Sequence, residues 1–176
     1  MAEYLSAANR ALSLREIAEY HEDTVSSLSF YFNNASSVER FIGYTSAQRL
    51  DELGTRIDET SLRSMLIALA SIEASFRLDY ELRCRRRLKD DLSKALREIY
   101  RVRQEHVALD EDIFEAWRTH LPESKALIGE LRAAFKLRHW LAHGRYWQPK
   151  LGRTFDFDFI YDLAVAVFEE FFQASS

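Results

Sequence analysis

Residues 61–103 read SLRSMLIALASIEASFRLDYELRCRRRLKDDLSKALREIYRVR, and they carry the longest periodic apolar pattern in the chain. Apolar residues recur in it at spacings of three or four, which places them on one face of an α-helix. No Gly or Pro interrupts the sequence between Thr55 and Ala108. The pattern predicts either one very long helix or two helices with a kink near the arginine run, packed against other helices. The members of this apolar face are Leu62, Leu66, Leu69, Ile72, Phe76, Tyr80, Cys84, Leu88, Leu92, Leu96, Ile99 and Val102.

The composition favours the same class of fold. The chain has 176 residues, of which 47% are apolar, with only 5 Gly and 2 Pro. Because β-hairpins need many turn-forming residues, this scarcity argues against a sheet protein. The length fits one domain with a substantial core. The sequence therefore predicts a single all-α helical bundle over residues 1–176.

Helix-start and helix-end signals divide the rest of the chain. Three capping boxes, in which a hydroxyl and a carboxylate or amide bind free backbone amides, begin at Ser13, Ser36 and Thr45. Gly54 is expected to end the helix that follows the third box. The helices predicted after the three boxes cover about residues 14–32, 38–43 and 47–53. The later predictions are a helix from Asp110 to about Thr119, one from Pro122 to the region of His143 ended by Gly144, a loop over residues 147–154, and a final helix from Asp156 or Asp158.

Positive charge is concentrated in two segments of a chain whose net charge is −4. Residues 83–103 hold nine basic and three acidic side chains, and residues 131–155 hold six basic and no acidic ones. Such segregation creates local positive fields that can hold a polyanion. The alternative is that these faces pair with acidic faces of the same chain or of a second copy.

Cys84 is the single cysteine, so an intramolecular disulfide is impossible and a cytoplasmic location is expected. A reactive thiol beside the neighbouring arginines is the alternative to a plain cysteine on a helix face. No stretch approaches the roughly 20 apolar residues that a membrane span needs. Met1–Arg15 lacks the pattern of a signal peptide, so no association with a membrane is expected.

The candidate for chemistry is the motif RHWLAH at residues 138–143. The chain has no Gly-rich phosphate loop and no Gly-x-Ser-x-Gly. His139 and His143 stand at i and i+4, but no nearby acid completes a metal ligand set, so no metal and no cofactor is expected. Arginine binds phosphate oxygens bidentately and histidine transfers protons near neutral pH. Since RNA supplies its own 2′-hydroxyl nucleophile, these groups suit metal-free cleavage of RNA.

Arg138, followed after four residues by His143 and directly by a polar His139, resembles the Arg-x4–6-His signature of the HEPN superfamily. The resemblance implies an all-helical core over about residues 58–172, with residues 1–57 as an N-terminal helical extension. It also implies a homodimeric, metal-independent endoribonuclease of toxin–antitoxin or phage-defence systems, in which the motifs of two protomers form a composite RNA groove. Arg138 would contact the scissile phosphate, His143 would transfer protons and His139 would orient the site.

This mechanism requires Arg138 and His143 to share an open, positively charged cleft, within one chain or through a second subunit. Glu73 lies on the apolar face, where an unpaired carboxylate is costly, so it is expected to meet one of these two residues and orient it. The alternative is a local pair with Arg77 at i+4. For Arg138 itself the alternative role is a surface ion pair, and for His143 a C-terminal helix cap.

Basic and aromatic side chains outside the motif are candidates for contact with RNA. For the arginine run the alternative is a solvated helix face balanced by Asp90 and Asp91. For the aromatic residues near the motif the alternative is side-chain packing, which is favoured for Trp140. The RNA-binding candidates are Arg83, Arg85, Arg86, Arg87, Arg145 and Tyr146.

Two functions remain open at this stage. The first is an endoribonuclease that acts on RNA as a homodimer, with a possible antitoxin or defence-system partner protein. The second is a non-catalytic, HEPN-like helical module that binds RNA or a protein partner.

Overall fold

Helices form the whole architecture of the described chain. The structure is a computed structural model that describes residues 12–34 and 39–172. Over these ranges no strand occurs, so the predicted all-α bundle is confirmed. None of the helices in these ranges is both long and apolar enough to cross a membrane. The six α-helices there are α1 Leu14–Asn33, α2 Ser46–Arg86, α3 Asp91–Arg103, α4 Glu115–His120, α5 Lys125–Ala142 and α6 Phe157–Val167.

Shorter helical turns connect these helices or extend them. The 3-10 turns cover Glu39–Phe41, Gln104–His106 and Pro122–Ser124, and the π-helical turns cover Leu109–Phe114 and Phe168–Phe172. A helix was predicted over residues 38–43. Among the described residues of this range only the 3-10 turn Glu39–Phe41 forms. The capping box predicted at Ser36 lies outside the described residues.

Two of the three predicted capping boxes lie in the described residues, and both are present. The Ser13 hydroxyl accepts from the Glu16 amide at 3.2 Å, and the Glu16 carboxylate accepts from the Ser13 amide at 2.8 Å, which begins α1. Thr45 and Gln48 form the same reciprocal pair at 3.2 and 2.9 Å, which begins α2. Each box satisfies backbone donors that the first helical turn leaves free.

The prediction that Gly54 ends a short helix is wrong. Helix α2 continues without interruption from Ser46 to Arg86, a length of 41 residues. A glycine inside a helix costs about 1 kcal/mol relative to alanine, which packing of the helix against its neighbours readily outweighs. The expected division of the chain at residue 57 therefore falls inside one continuous helix.

The apolar face of residues 61–103 is divided between two helices, as the second of the two alternatives predicts. Arg87 adopts a left-handed φ of 52° and ends α2. Asp90 then begins α3, since its carboxylate accepts from the Ser93 amide at 2.9 Å. Val102 was expected on the buried face but is 82% exposed, whereas Ile99, one turn earlier, packs against the core.

The core is built around α2. Leu69, Ile72 and Phe76 are fully buried, and they belong to one apolar cluster with residues of α5 and α6. The ring of Phe76 lies 5.0 Å from that of Phe114 and 5.8 Å from that of Trp117, centroid to centroid. This face of α2 is therefore held in the core.

The helix start predicted at Asp110 is wrong. The π-helical turn begins after Ala108, and it is the Asp112 carboxylate that accepts from the Ala108 amide, at 2.8 Å. Asp110 instead forms an ion pair with Arg132 of α5. A partner distant in sequence therefore decides the role of this carboxylate.

The boundaries that follow agree with the sequence. Pro122 occupies the first position of the 3-10 turn that leads into α5, and α5 ends just before Gly144, whose φ is +84°. Asp156 rather than Asp158 caps α6, because its carboxylate accepts from the Phe159 amide at 2.8 Å.

His21 attaches α1 to the rest of the bundle. Its ring stacks on Phe157 at a centroid distance of 3.9 Å, and its Nδ1 lies 3.1 Å from the hydroxyl oxygen of Ser64. Burial lowers the pKa of His21 below its ordinary value, although the carboxylates of Asp158 and Glu22 oppose the shift. The folded protein therefore favours the neutral imidazole.

We expect the free energy of unfolding to fall as the pH is lowered from about 7.5 to 5.5. The unfolded chain takes up a proton at His21 as the pH passes through about 6.5, whereas the folded chain resists protonation, so acid favours unfolding. Urea unfolding of the wild type and of His21→Asn across this range measures the effect. The variant should show a shallower dependence on pH, and equal slopes for the two proteins would contradict the role assigned to His21.

Candidate active site

The motif at residues 138–143 occupies the last turn of α5 and the residue after it. Leu137 is buried in the core, which orients the turn that follows. His143 stands at the C-terminal cap position, where its backbone amide donates to the His139 carbonyl at 3.1 Å. The motif therefore lies where a rigid helix reaches the surface.

Arg138 forms an ion pair with Glu73 of α2. The Nη2 atom of Arg138 lies 2.7 Å from Oε2 of Glu73, and the two side chains are 32% and 17% exposed, respectively. The Nε atom of Arg138 is buried and has no hydrogen-bond partner among the described residues. Glu73 thus meets Arg138, one of the two partners predicted for it, and the contact holds the guanidinium against α2.

Glu73 also forms the alternative ion pair, with Arg77 on its own helix. Its Oε1 atom lies 2.9 Å from Nη2 of Arg77 at i+4 and accepts from Nε of the same side chain. The two predicted arrangements coexist because each carboxylate oxygen takes one guanidinium. Glu73 therefore links the last turn of α5 to the middle of α2.

His139 and His143 form an exposed pair of imidazoles. Their ring centroids are 4.3 Å apart, with the planes inclined at 48°. The ring of Trp147 lies 5.8 Å from that of His139, centroid to centroid. Two imidazoles this close to each other can serve one phosphodiester, one as the base for the attacking hydroxyl and the other as the acid for the leaving oxygen.

The chain after the motif folds back and is fixed at two points. Trp140 is half-buried, and its indole Nε1 donates to the Trp147 carbonyl at 2.7 Å, which confirms packing as its role. Arg145 forms a bidentate pair with Glu59 of α2 at 2.7 and 3.1 Å. These hydrogen bonds lower the pKa of the Glu59 carboxyl. Arg145 is thereby held by an ion pair within the fold, whereas Tyr146 is 84% exposed.

A hollow of about 380 Å³ adjoins His139, and the ion pair of Asp110 with Arg132 forms part of its lining. His139 and Trp147 line it, together with Lys136 and Lys150, neither of which forms an ion pair with any described residue. A surface with free ammonium groups, an imidazole and an aromatic ring suits a phosphate backbone and an unpaired base.

Arg138 and His143 do not share this hollow within the described part of one chain. Positions five apart on an α-helix are separated by about 140° around its axis. Arg138 contacts Glu73 on the side of α2, whereas the ring of His143 lies beside that of His139, which lines the hollow. The shared cleft expected from the sequence is therefore not formed by a single chain.

The arginine run at residues 83–87 divides into inward and outward members. Arg83 does not lie on an exposed basic face, because its side chain is only 16% exposed. It pairs with Asp79 at 2.6 Å and Asp90 at 3.3 Å, and its guanidinium lies over the ring of Trp117 at 5.1 Å. Arg85, Arg86 and Arg87 are exposed.

Three residues of the site were not singled out in the sequence. Lys136 and Lys150 belong to the acid-free segment 131–155, so its charge pattern could have identified them. Glu59 gave no such signal, because it is one of many acids on a long helix. Its role depends on a partner 86 residues away.

The described residues contain no group of three or more metal-binding side chains that could hold an ion. Comparison with known proteins finds no family model, no curated protein and no solved structure that matches this chain.

We expect Glu73→Gln to lower the free energy of unfolding by about 1–3 kcal/mol, because two guanidinium groups lose their shared half-buried carboxylate. Urea unfolding measures the change. Glu98→Gln is the matched control, since Glu98 is an exposed acid paired with Arg101 on its own helix. Its loss should stay within about 0.5 kcal/mol. Equal losses in the two variants would show that Glu73 has no special part in holding α5.

Proposed function

We propose that this protein is a metal-independent endoribonuclease of the HEPN type. The observation that carries the proposal is the exposed pair His139 and His143, 4.3 Å apart, on the same helix end as an arginine held by a carboxylate. The adjoining hollow supports it, since its two lysines and its aromatic ring suit a phosphate backbone and an unpaired base.

The proposed reaction needs two proton transfers and stabilisation of charge. One imidazole takes the proton of the ribose 2′-hydroxyl, and the 2′-oxygen forms a bond to phosphorus. The bond from phosphorus to the 5′-oxygen breaks, and the other imidazole, in its protonated form, gives this oxygen a proton. The guanidinium of Arg138 stabilises the negative charge that develops on the phosphoryl oxygens. The products are a 2′,3′-cyclic phosphate and a 5′-hydroxyl.

We infer that a second copy of the chain completes the site. Arg138 and His143 are about 140° apart around α5, and Glu73 holds Arg138 against α2, so the two side chains lie toward different sides of the helix. A two-fold dimer joins the Arg138 side of each protomer to the His143 side of the other and forms two equal sites. Glu73 then keeps the guanidinium at a fixed position until the phosphate binds.

Cleavage of RNA by the full chain in excess chelator tests the activity. We expect the wild type to cut, and Arg138→Ala and His143→Ala to lose about 100-fold or more of the rate, since each removes a charge-stabilising or proton-transfer group. His120→Ala is the control, because His120 is an exposed histidine at the end of α4 and lies outside the site. Cleavage that is equal in the wild type and in both motif variants would contradict the proposal.

Mixing the two inactive variants tests the shared site. In a dimer of one Arg138→Ala chain and one His143→Ala chain, one composite site lacks both groups and the other is intact. An equimolar mixture that exchanges subunits should therefore recover about a quarter of the wild-type rate. A mixture that stays as inactive as its components, in a protein shown to exchange subunits, would place both groups of each site in one chain.

The second candidate is a non-catalytic helical module that binds RNA or a protein. The observation that favours it is the ion pair with Glu73, which already neutralises Arg138. Binding of RNA without any cleavage, unchanged in His143→Ala, would support this candidate over the first. The further role of a toxin or phage-defence effector, with an antitoxin or defence partner, rests on the resemblance of residues 138–143 alone.

A further inference from the structure

A second cavity lies between the C-terminal half of α2 and the end of α3. Its volume is about 460 Å³, within the range that binds small ligands. Arg77, Arg85 and Arg87 line it together with Tyr80 and Tyr100. None of these residues lines the hollow at the end of α5, so the two features are separate.

The cavity has an excess of positive charge. Three guanidinium groups line it. The carboxylate of Glu81 lies 3.1 Å from Arg85, and that of Glu73, which Arg138 shares, lies 2.9 Å from Arg77. Arg87 adopts a left-handed backbone and forms no ion pair with any residue that the structure describes. The C-terminal end of α2 contributes about half a negative charge, which does not cancel this excess. An anionic ligand is therefore favoured.

Two tyrosines give the cavity an aromatic wall. Tyr80 is buried, and its hydroxyl donates to the Gln104 carbonyl at 3.3 Å. Burial raises the pKa of Tyr80, so its phenol stays neutral. The ring of Tyr100 lies 6.1 Å from that of Tyr80 and is exposed. An exposed aromatic ring beside guanidinium groups is an arrangement on which a nucleobase stacks.

Cys84 forms part of the same wall. Burial raises the pKa of its thiol, although Arg97 opposes the shift. The thiol is therefore a neutral, weakly polar surface, and the alternative of a reactive cysteine is not favoured.

We propose that this cavity binds a nucleoside 5′-phosphate. The phosphate lies against Arg85 and Arg87, and the base stacks on Tyr100. Both parts of the ligand are needed, because a free phosphate meets only the guanidinium groups and a nucleoside meets only the ring. This cavity is separate from the proposed ribonuclease site, and the proposal does not rest on that function. The two places are linked through Glu73, whose carboxylate pairs with Arg77 of the cavity and with Arg138.

Calorimetric titration of the full chain with AMP, GMP, CMP and UMP tests the proposal. We expect saturable binding of at least one nucleotide at one site per chain. The matching nucleoside and inorganic phosphate should each bind about tenfold or more weakly, because each loses one set of contacts. Arg85→Gln and Tyr100→Leu should weaken nucleotide binding by about tenfold, with folding checked by circular dichroism.

Arg101→Gln is the matched control for Arg85→Gln. Both arginines are exposed, at 71% and 75%, and each pairs with one glutamate on its own helix, but Arg101 does not line the cavity. Its nucleotide affinity should equal that of the wild type. Absence of binding by all four nucleotides would overturn the proposal. So would binding that survives Arg85→Gln and Tyr100→Leu but is lost in Arg138→Ala, because the nucleotide would then occupy the site at the end of α5.

Discussion

The ion pairs of Glu73 determine how the end of α5 is presented. A half-buried carboxylate is stable only when hydrogen-bonded cations replace the water that it loses. Arg77 and Arg138 supply this replacement, one at each carboxylate oxygen. Because Ile72 and Phe76 fix this part of α2 in the core, the carboxylate is a rigid anchor. Arg138 is consequently held at a defined position, unlike an arginine on an open surface.

A second carboxylate of α2 fixes the chain beyond the motif. Glu59 binds Arg145, as Glu73 binds Arg138. The two glutamates are 14 residues apart, close to four helical turns, so they lie near the same face of α2. Glu59 binds Arg145 and Glu73 binds Arg138, so the order of the partners is reversed along the chain, as expected when α2 and α5 run antiparallel. Helix α2 thus binds one arginine before the histidine pair and one arginine after it along the chain.

Local rules predicted the parts of the fold that depend on neighbouring residues. The boxes at Ser13 and Thr45 are correct because both of their partners lie within three residues. Gly54, Asp110 and Val102 were misjudged because distant contacts decide each of them. Packing of α2 against its neighbours keeps the helix continuous at the glycine, Arg132 draws the aspartate away from a capping role, and the valine faces solvent although Ile99, one turn earlier, packs against the core. These outcomes depend on the arrangement of the helices in space.

At the site, too, the sequence predicted some contacts and missed those that depend on residues distant in the chain. Burial cost predicted that Glu73 meets Arg138 or His143, because a carboxylate on an apolar face needs a cation, and the fold provides Arg138. The sequence did not reveal that Arg83 is drawn inward, since Asp79 and Asp90 become its partners only when α2 and α3 meet.

The spacing of the motif carries a constraint on assembly that follows from helical geometry. Arg138 and His143 are five positions apart, so the helix itself turns them toward different sides. A spacing of four would have placed them on one face. The proposed nuclease needs both groups at one phosphate, and a two-fold axis beside α5 is the simplest arrangement that would bring them together. The separation of the two side chains in one chain is the reason why the proposal includes a second copy.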